Sequence, residues 1–485
     1  MKVLPLSLSG FLAFVALLLG IFVSSFLALS VYFLWGILVS GGIFIATGIK
    51  KRNLLVIGVI AIAFFFGALR MSTVQNSQKY LISGAPMIFS GQIVESPELR
   101  GASLQFVVKA ESLEGTPRLL VIAQRFPQFL RGETLVILGK VEPLPEDNEN
   151  YRDSLKRRGI SGTVPFPKIT LAEPQPFSWL RTLDELKVRF EMGLRDVLPE
   201  PDAGFVIGIL LGERSSISDE LRDAFARTST SHIVALSGFN ITIIAIAVSW
   251  VLGVFHPSVK ARFFGSTIFI ALFVLLVGGG SSVIRAALMG LLALLALERG
   301  RIYDMTNALV FAAAVMALIN PYLLRFDLSF QLSFLATLGI ILVPPLLEKY
   351  LLWLPERFDI RKIVSATLSA EIFVFPLILW NFGAVSVIGP IANLLVLPLI
   401  PEAMLLGFAS GITAMVWPAL ALFTSWPLHV LVSYQLGVVQ ILSRFSLASV
   451  SLPQFASIAI ALPAVFISFR YLKRRFRPFV KVRHV

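Results

Sequence analysis

Residues 228–245 read TSTSHIVALSGFNITIIA. Four hydroxyl side chains and His232 open the stretch, and Ser237, Gly238 and Asn240 follow within it. The end is apolar on every side, as a helix in a bilayer or a bundle core must be. A helix entering a membrane would thus carry hydroxyl, amide and imidazole groups at its start only.

The surroundings decide for the membrane. The chain has 485 residues, 56% hydrophobic and 15% charged, against about 25% charged in soluble chains. Apolar runs recur from Phe11 to Phe469, many near the ~20 residues that span a bilayer. The expected fold is a polytopic α-helical membrane protein of about a dozen spans. The first run reads as a span and not a removable signal: it is long, lacks a small-residue cleavage site and is followed at once by another.

There is no cysteine, which excludes disulfides, thiolate catalysis and cysteine zinc sites. The four histidines, His232, His256, His429 and His484, lack metal-ligand spacing. No metal and no cofactor is expected. The net charge of +13 is concentrated in KKR at 50–52 and KRRFRPFVKVR at 473–483, as in loops retained on the cytoplasmic side.

Residues 1–69 read as three N-terminal transmembrane helices, about 8–29, 31–49 and 54–69. With KKR inside, the third leaves the membrane outside. Residues 70–180 then change character. MIFSGQIVES, LQFVVKAES, RLLVIAQ, GETLVILGKVE and GTVPFPKITLAE are β-branched or alternating runs parted by Gly, Pro and charges. They predict an inserted extracytoplasmic β domain of about five strands, OB-like in type. NYRDSLKRRG at 150–159 reads as a short helix before the last strand, one connection later than an OB fold places it.

Residues 181–230 are expected to form amphipathic helices at the outer membrane-facing surface. Within them AGFVIGILLG at 203–212 is too short to cross, and Ser218 is an N-cap. Residues 231–472 form the second membrane block, with spans near 232–255, 263–279, 282–297, 305–320, 327–347, 363–382, 391–415, 418–443 and 453–470. Residues 473–485 are a basic cytoplasmic tail. Both termini fall inside and the β domain outside.

In this topology several helix starts face outward. His232 opens one, Arg285 lies one turn into another, Asp327 and Gln331 open a third, and Asn393 lies just inside a fourth. Helix N-termini expose unpaired N–H groups and a partial positive charge, and bind anions. Other readings exist for each residue. Arg285 can snorkel or pair with Asp327, Asp327 can simply cap, and Ser329, Ser333 and Thr337 suit helix packing. Glu371, near mid-span, is a candidate for proton coupling or a neutral hydrogen-bonded acid. On a straight helix His232 and Ser237 would be separated by roughly 140°, so the two act together only if the helix breaks at Gly238.

Four strings together resemble the competence domain of ComEC-type DNA-uptake channels: GILLGERSSISDELRDAFARTSTSHIVALSGFNITII (208–244), SSVIRAALMGLLALLALERGR (281–301), NPYLLRFDLSFQLSFLATLGI (320–340) and FPLILWNFGAVSVIGPIANLLVLPLI (375–400). The β domain, ending in YRDSLKRRGISGTV, looks like that family's OB-like domain. The resemblance implies a non-enzymatic channel passing single-stranded DNA across the bacterial cytoplasmic membrane during transformation. It also implies an extracytoplasmic DNA receptor, a cytoplasmic helicase-type ATPase and contact with membrane lipids.

The translocation-path or signature candidates are Arg214, His232, Ser237, Gly238, Asn240, Arg285, Asp327, Gln331, Glu371 and Asn393. The family often has His at 240 and Gln at 371. It often carries a C-terminal metallo-β-lactamase-like domain whose signature is not in this sequence, so a separate nuclease is expected. In the β domain Lys109, Arg118, Arg125 and Arg131, with Phe106, Phe126 and Phe129, are candidates for a strand-binding face, and an ordinary solvated surface is the alternative. A transporter of another anionic polymer or small anion remains open. An intramembrane hydrolase built on Ser237 and His232 is disfavoured by their angle.

Overall fold

The computed structural model describes residues 6–27, 29–48, 52–77, 85–100, 103–113, 115–127, 129–145, 149–172, 178–234, 236, 238–255 and 258–480. Three helices open the chain: α1 (Leu6–Phe26), α2 (Val31–Gly48) and α3 (Arg52–Ser77). The β unit follows as β1 (Met87–Ile93), β2 (Glu98–Arg100), β3 (Ser103–Lys109), β4 (Arg118–Gln124), β5 (Thr134–Gly139), α4 (Glu149–Arg157), β6 (Ile160–Pro165) and β7 (Lys168–Leu171). A connecting group comprises α5 (Trp179–Val197), α6 (Asp202–Leu211), α7 (Asp219–Arg227) and α8 (Ser231–Val234).

The second membrane block runs α9 (Gly238–Phe255), α10 (Val259–Val277), α11 (Ser281–Glu298), α12 (Met305–Ile319), α13 (Leu323–Phe326), α14 (Leu328–Leu342), α15 (Pro344–Leu347) and α16 (Ile360–Phe382). It continues with β8 (Ala384–Val385), α17 (Gly389–Val396), α18 (Ile400–Val416), α19 (Pro418–Ser443), β9 (Val450–Ser451) and α20 (Ala456–Val480). Among the described residues eight stretches are long and apolar enough to cross a bilayer, or nine if Leu328–Leu342 and Pro344–Tyr350, bent by 42°, form one span. The chain is thus a multi-pass helical membrane protein with a small β unit. Asn240–Val254, Met305–Ile319 and Ala456–Tyr471 are apolar but shorter.

In the β unit the strand order is β6-β4-β3-β1-β5-β7, with β2 on β3. β4 and β6 pair in parallel, and the other pairs are antiparallel. A bridge between Glu142 and Thr163 brings the segment after β5 back to β6. Leu104, Phe106 and Val108 alternate inward along β3 to meet Leu119, Val121, Leu135 and Ile137. The run expected as one last strand is two. β6 lies on β4 and β7 on β5, so the chain must leave one edge for another, and it does so at Phe166–Pro167. α4 forms before β6 as expected.

Within the connecting group, α6 lies in the core and not at a surface. All ten residues of α6 are buried, because a helix apolar on every face gains most inside a core. It packs among α5, α7, α9, α18 and α19 in the largest apolar cluster. α5 and α7 are amphipathic in pattern, and Ser218 caps α7 by accepting from the Leu221 N–H at 3.3 Å. Beside α6, Lys187 sits 3.0 Å from Glu213 and 3.8 Å from Glu191.

Burial, the largest influence on Glu191, raises its pKa; Lys187 lowers it and Glu213 raises it, leaving it above the ordinary carboxylate value. A raised folded pKa means that ionised Glu191 opposes folding above that range, and the opposition fades as pH falls through the folded pKa. Glu191→Gln should therefore raise the thermal unfolding midpoint at pH 7, with the gain shrinking at acidic pH. A midpoint lowered at both pH values would contradict this.

Candidate functional site

Several helix ends meet beside the β unit. At the α10–α11 turn, Gly278 and Gly279 take φ values of 86° and 64°, a left-handed pair that side chains disfavour. This reversal sets Ser281 at the start of α11. Ser281 Oγ donates to Asp327 Oδ2 at 2.5 Å. Asp327 also caps α14, accepting from the Phe330 N–H at 3.1 Å. Arg157 on α4 completes the cluster, with Nη1 2.9 Å from Asp327 Oδ1. Asn320 Nδ2 donates to the Arg157 carbonyl at 2.8 Å. The β unit is thereby seated over the starts of α11 and α14.

Other ends join the same assembly. Arg325 donates to the Ser25 carbonyl at the end of α1. Arg70 in α3 donates to the Leu318 and Ile319 carbonyls at the end of α12 at 2.8 and 3.1 Å. A second anchor fixes the β unit to α5. Arg131 Nη2 lies 2.9 Å from Asp184 Oδ1, and Asp184 Oδ2 accepts from the Arg131 N–H at 3.1 Å and from Ser96 Oγ at 3.3 Å.

The opening stretch is broken. α8 ends at Val234 and α9 begins at Gly238, so the straight-helix angle between His232 and Ser237 does not apply. Ser237 and the side chain of Arg214 lie outside the described residues. Ser282 Oγ donates to the Leu236 carbonyl at 2.9 Å, pinning the break to α11. Asn240 is buried and its Nδ2 donates to the Ile209 carbonyl at the end of α6 at 3.0 Å. His232 is exposed, with Nδ1 3.1 Å from the Ser229 carbonyl oxygen.

Arg285 corrects one expectation: Asp327 pairs with Arg157 and not with it. Arg285 is 8% exposed, and its Nε meets no hydrogen-bond partner among the described residues. Its guanidinium carbon stands 5.9 Å from the Phe334 ring centre. A Cβ placed on Gly238 would lie 2.5 Å from Arg285 Nη2, so the guanidinium as it stands lies against the first residue of α9 and would have to shift to admit a side chain there.

The remaining candidates are spread through the bundle. Gln331 Nε2 donates to the Leu324 and Arg325 carbonyls at 2.9 and 2.8 Å, closing α13 onto α14. Glu371, midway along α16, is buried with Oε1 unpartnered. A Cβ on Gly389 would lie 2.8 Å from that oxygen and 2.8 Å from Ser229 Cβ. The carboxyl group therefore faces the start of α17, whose partial positive charge suits it. Asn393, one turn further along α17, is buried with Oδ1 unpartnered.

The expected strand-binding face of the β unit does not assemble as one surface. Phe106 and Phe129 pack in the core with ring centres 5.6 Å apart, and Arg131 is the buried partner of Asp184. Lys109 and Arg118 oppose each other across β3 and β4. Arg125 and Phe126 follow the far end of β4, with the guanidinium 5.7 Å from the ring centre. Exposed Phe166 was not anticipated. It follows β6, and its N–H donates to the Ile122 carbonyl at 2.7 Å. Parallel pairing of β4 with β6 sets Phe126 and Phe166 at the same end.

Two further polar groups escaped the sequence reading. Arg157 was merely one residue of a basic helix. Buried Asp202 at the start of α6 stands 2.6 Å from His429 Nδ1 and accepts from Ser433 Oγ at 3.1 Å. The spacing of His429 and Ser433, one helical turn, was the available signal.

The family model described as Competence protein matches residues 209–477. ComE operon protein 3 of Bacillus subtilis (strain 168) is 27% identical over 285 residues, covering 57% of this chain and 35% of that protein. The chain therefore spans well under two thirds of that relative's length. No solved structure matches the chain.

Proposed function

The chain belongs to the Competence protein family, of the ComEC type, and from that premise we propose that it conducts single-stranded DNA across the bacterial cytoplasmic membrane during transformation. The observation that carries this reading is the seating of the β unit by Arg157 on Asp327 and Ser281. It sets a domain able to hold a strand directly over helix starts able to receive a polyanion. In this reading the three shorter apolar helices also cross, giving about a dozen spans. The parallel β4–β6 pair and the Glu142–Thr163 bridge fit an OB-like barrel. The β unit faces outward and both termini inward.

Phe126 and Phe166, with Arg125 beside them, form the stacking platform at the tip of the β unit. Base–aromatic stacking contributes about 1–3 kcal/mol per base. Replacing both rings in Phe126→Ala/Phe166→Ala should weaken binding of a labelled oligothymidylate to purified protein at least ~10-fold, since each 1.4 kcal/mol is tenfold. Unchanged affinity would remove the platform. An extracytoplasmic DNA receptor, a cytoplasmic helicase-type ATPase and a separate nuclease complete the proposed pathway, and no catalytic role is assigned to the chain itself.

The deciding experiment is uptake of labelled DNA by cells lacking the gene. Surface binding should persist while label in the cytoplasm disappears and returns on complementation. Normal internalisation would overturn the proposal. If DNA uptake is normal but transport of another anionic polymer is lost, the anion-transporter reading takes its place.

A further inference from the structure

We propose that Arg285 and the start of α9 form a binding site for a phosphate-class oxyanion, occupied by a backbone phosphodiester of the transported strand. The choice of occupant rests on the function proposed above; the site itself rests on geometry. α9 is an 18-residue helix, whose first N–H groups lack intrahelical partners and carry partial positive charge. Arg285 Nη2 lies where a Cβ on Gly238 would be 2.5 Å away. A cation is thus held against a positive helix end, which neither neutralises.

Such a cation needs an anion. Arg285 is more than nine-tenths buried, and a buried unpaired charge is strongly unfavourable. Among the described residues it has no ion-pair partner, and its Nε has no hydrogen-bond acceptor. The carboxylate best placed by sequence, Asp327, already holds Arg157, Ser281 and the α14 start. The Phe334 face, 5.9 Å away, gives only part of the compensation that a desolvated cation requires. Asn240 and Thr242 are turned elsewhere, to the carbonyls of Ile209 and Gly238.

The start of α17 differs, because there the carboxyl group of Glu371 stands against the first residue of the helix. At α9 the negative group must come from outside. Phosphate oxygens suit both donors, since a guanidinium binds them in a planar fork and helix N–H groups bind them end-on. A strand would present such groups in series as it passes.

The test uses the full chain in zwitterionic nanodiscs, with an abasic oligodeoxynucleotide as a probe that has phosphodiesters and no bases. Arg285→Met and Gly238→Ala are compared with the unaltered protein by binding across a salt series and by thermal unfolding. The slope of log affinity against log salt should shallow by about 0.7, the value for one phosphate contact on a single strand. Gly238→Ala should weaken binding while keeping the charge, because the methyl group displaces the guanidinium. Without probe, Arg285→Met should unfold at the same temperature as the unaltered protein or higher, since it removes an uncompensated buried charge.

An unchanged salt slope in both variants overturns the site and leaves the channel reading standing. Failure of the unaltered protein to bind either the abasic or a thymidylate oligonucleotide overturns the channel reading. A lowered unfolding temperature in Arg285→Met with an unchanged slope assigns Arg285 a structural role and overturns the site. Competition by inorganic phosphate as strong, per phosphate, as by the abasic strand overturns the strand as occupant. Loss of the site's effect only in discs containing anionic lipid assigns the occupant to a lipid headgroup and likewise overturns the strand.

Discussion

Asp184→Ala should destabilise the protein by about 3–5 kcal/mol, the cost of leaving one member of a buried ion pair uncompensated. Arg131 and Asp184 have side chains 6% and 5% exposed, so water cannot take the place of the lost carboxylate. The same carboxylate accepts from the Arg131 N–H and from Ser96 Oγ, and both donors lose their acceptor at once. The pair joins the β unit to the first turns of α5, so the damage should be local to that junction. Protease sensitivity should rise between the β unit and α5, while the membrane helices keep their protection. The double variant Arg131→Met/Asp184→Leu should recover much of the loss, because a well-packed apolar pair of similar volume often equals a buried ion pair. Equal unfolding midpoints for Asp184→Ala and the unaltered protein would contradict this assignment.

Asp327→Ala should cost about 3 kcal/mol and release the other end of the β unit. Two contributions add: a cap worth about 1 kcal/mol, and charge-assisted hydrogen bonds of about 1.5–3 kcal/mol. Asp327 is 7% exposed on its side chain, while Arg157 is 26% exposed, so loss of the acid should matter more than loss of the base. Asp327→Asn separates the contributions, because asparagine caps about as well as aspartate but carries no charge for Arg157. The asparagine variant should keep α14 folded, loosen α4 from α13, and reduce DNA uptake at least tenfold at normal protein level. Arg157→Met should reproduce the transport defect with a smaller loss of stability. Normal uptake in both would show that seating the β unit over the helix starts is irrelevant to transport.

The sequence made some of this legible and left the rest dark for physical reasons. The apolar helical runs and the change to strand periodicity between α3 and α5 follow from composition and periodicity, which are local. The break before Gly238 was visible as an alternative because hydroxyl groups and glycine interrupt an apolar run. Phe106 could have been assigned to the core, since Leu104, Phe106 and Val108 alternate along β3. Phe129 had no such pattern. Arg125 and Arg131 look alike in a basic stretch, and only tertiary contact with Asp184 separates an exposed from a buried arginine. The partner of Asp327 was beyond reach because Arg157 lies 170 positions earlier, in another folding unit. α6 misled because a run apolar on every side fits a surface segment in a membrane as well as a core, and only its neighbours decide.

The proposed function requires that the β unit face outside and share one entrance with the break between α8 and α9. The chain has no cysteine, so single thiols can be introduced without background. In Phe126→Cys and His232→Cys cells, both thiols should react with a membrane-impermeant maleimide added outside, and single-stranded DNA held at the cell surface should protect both. Reaction of either thiol only after the membrane is opened would contradict the account.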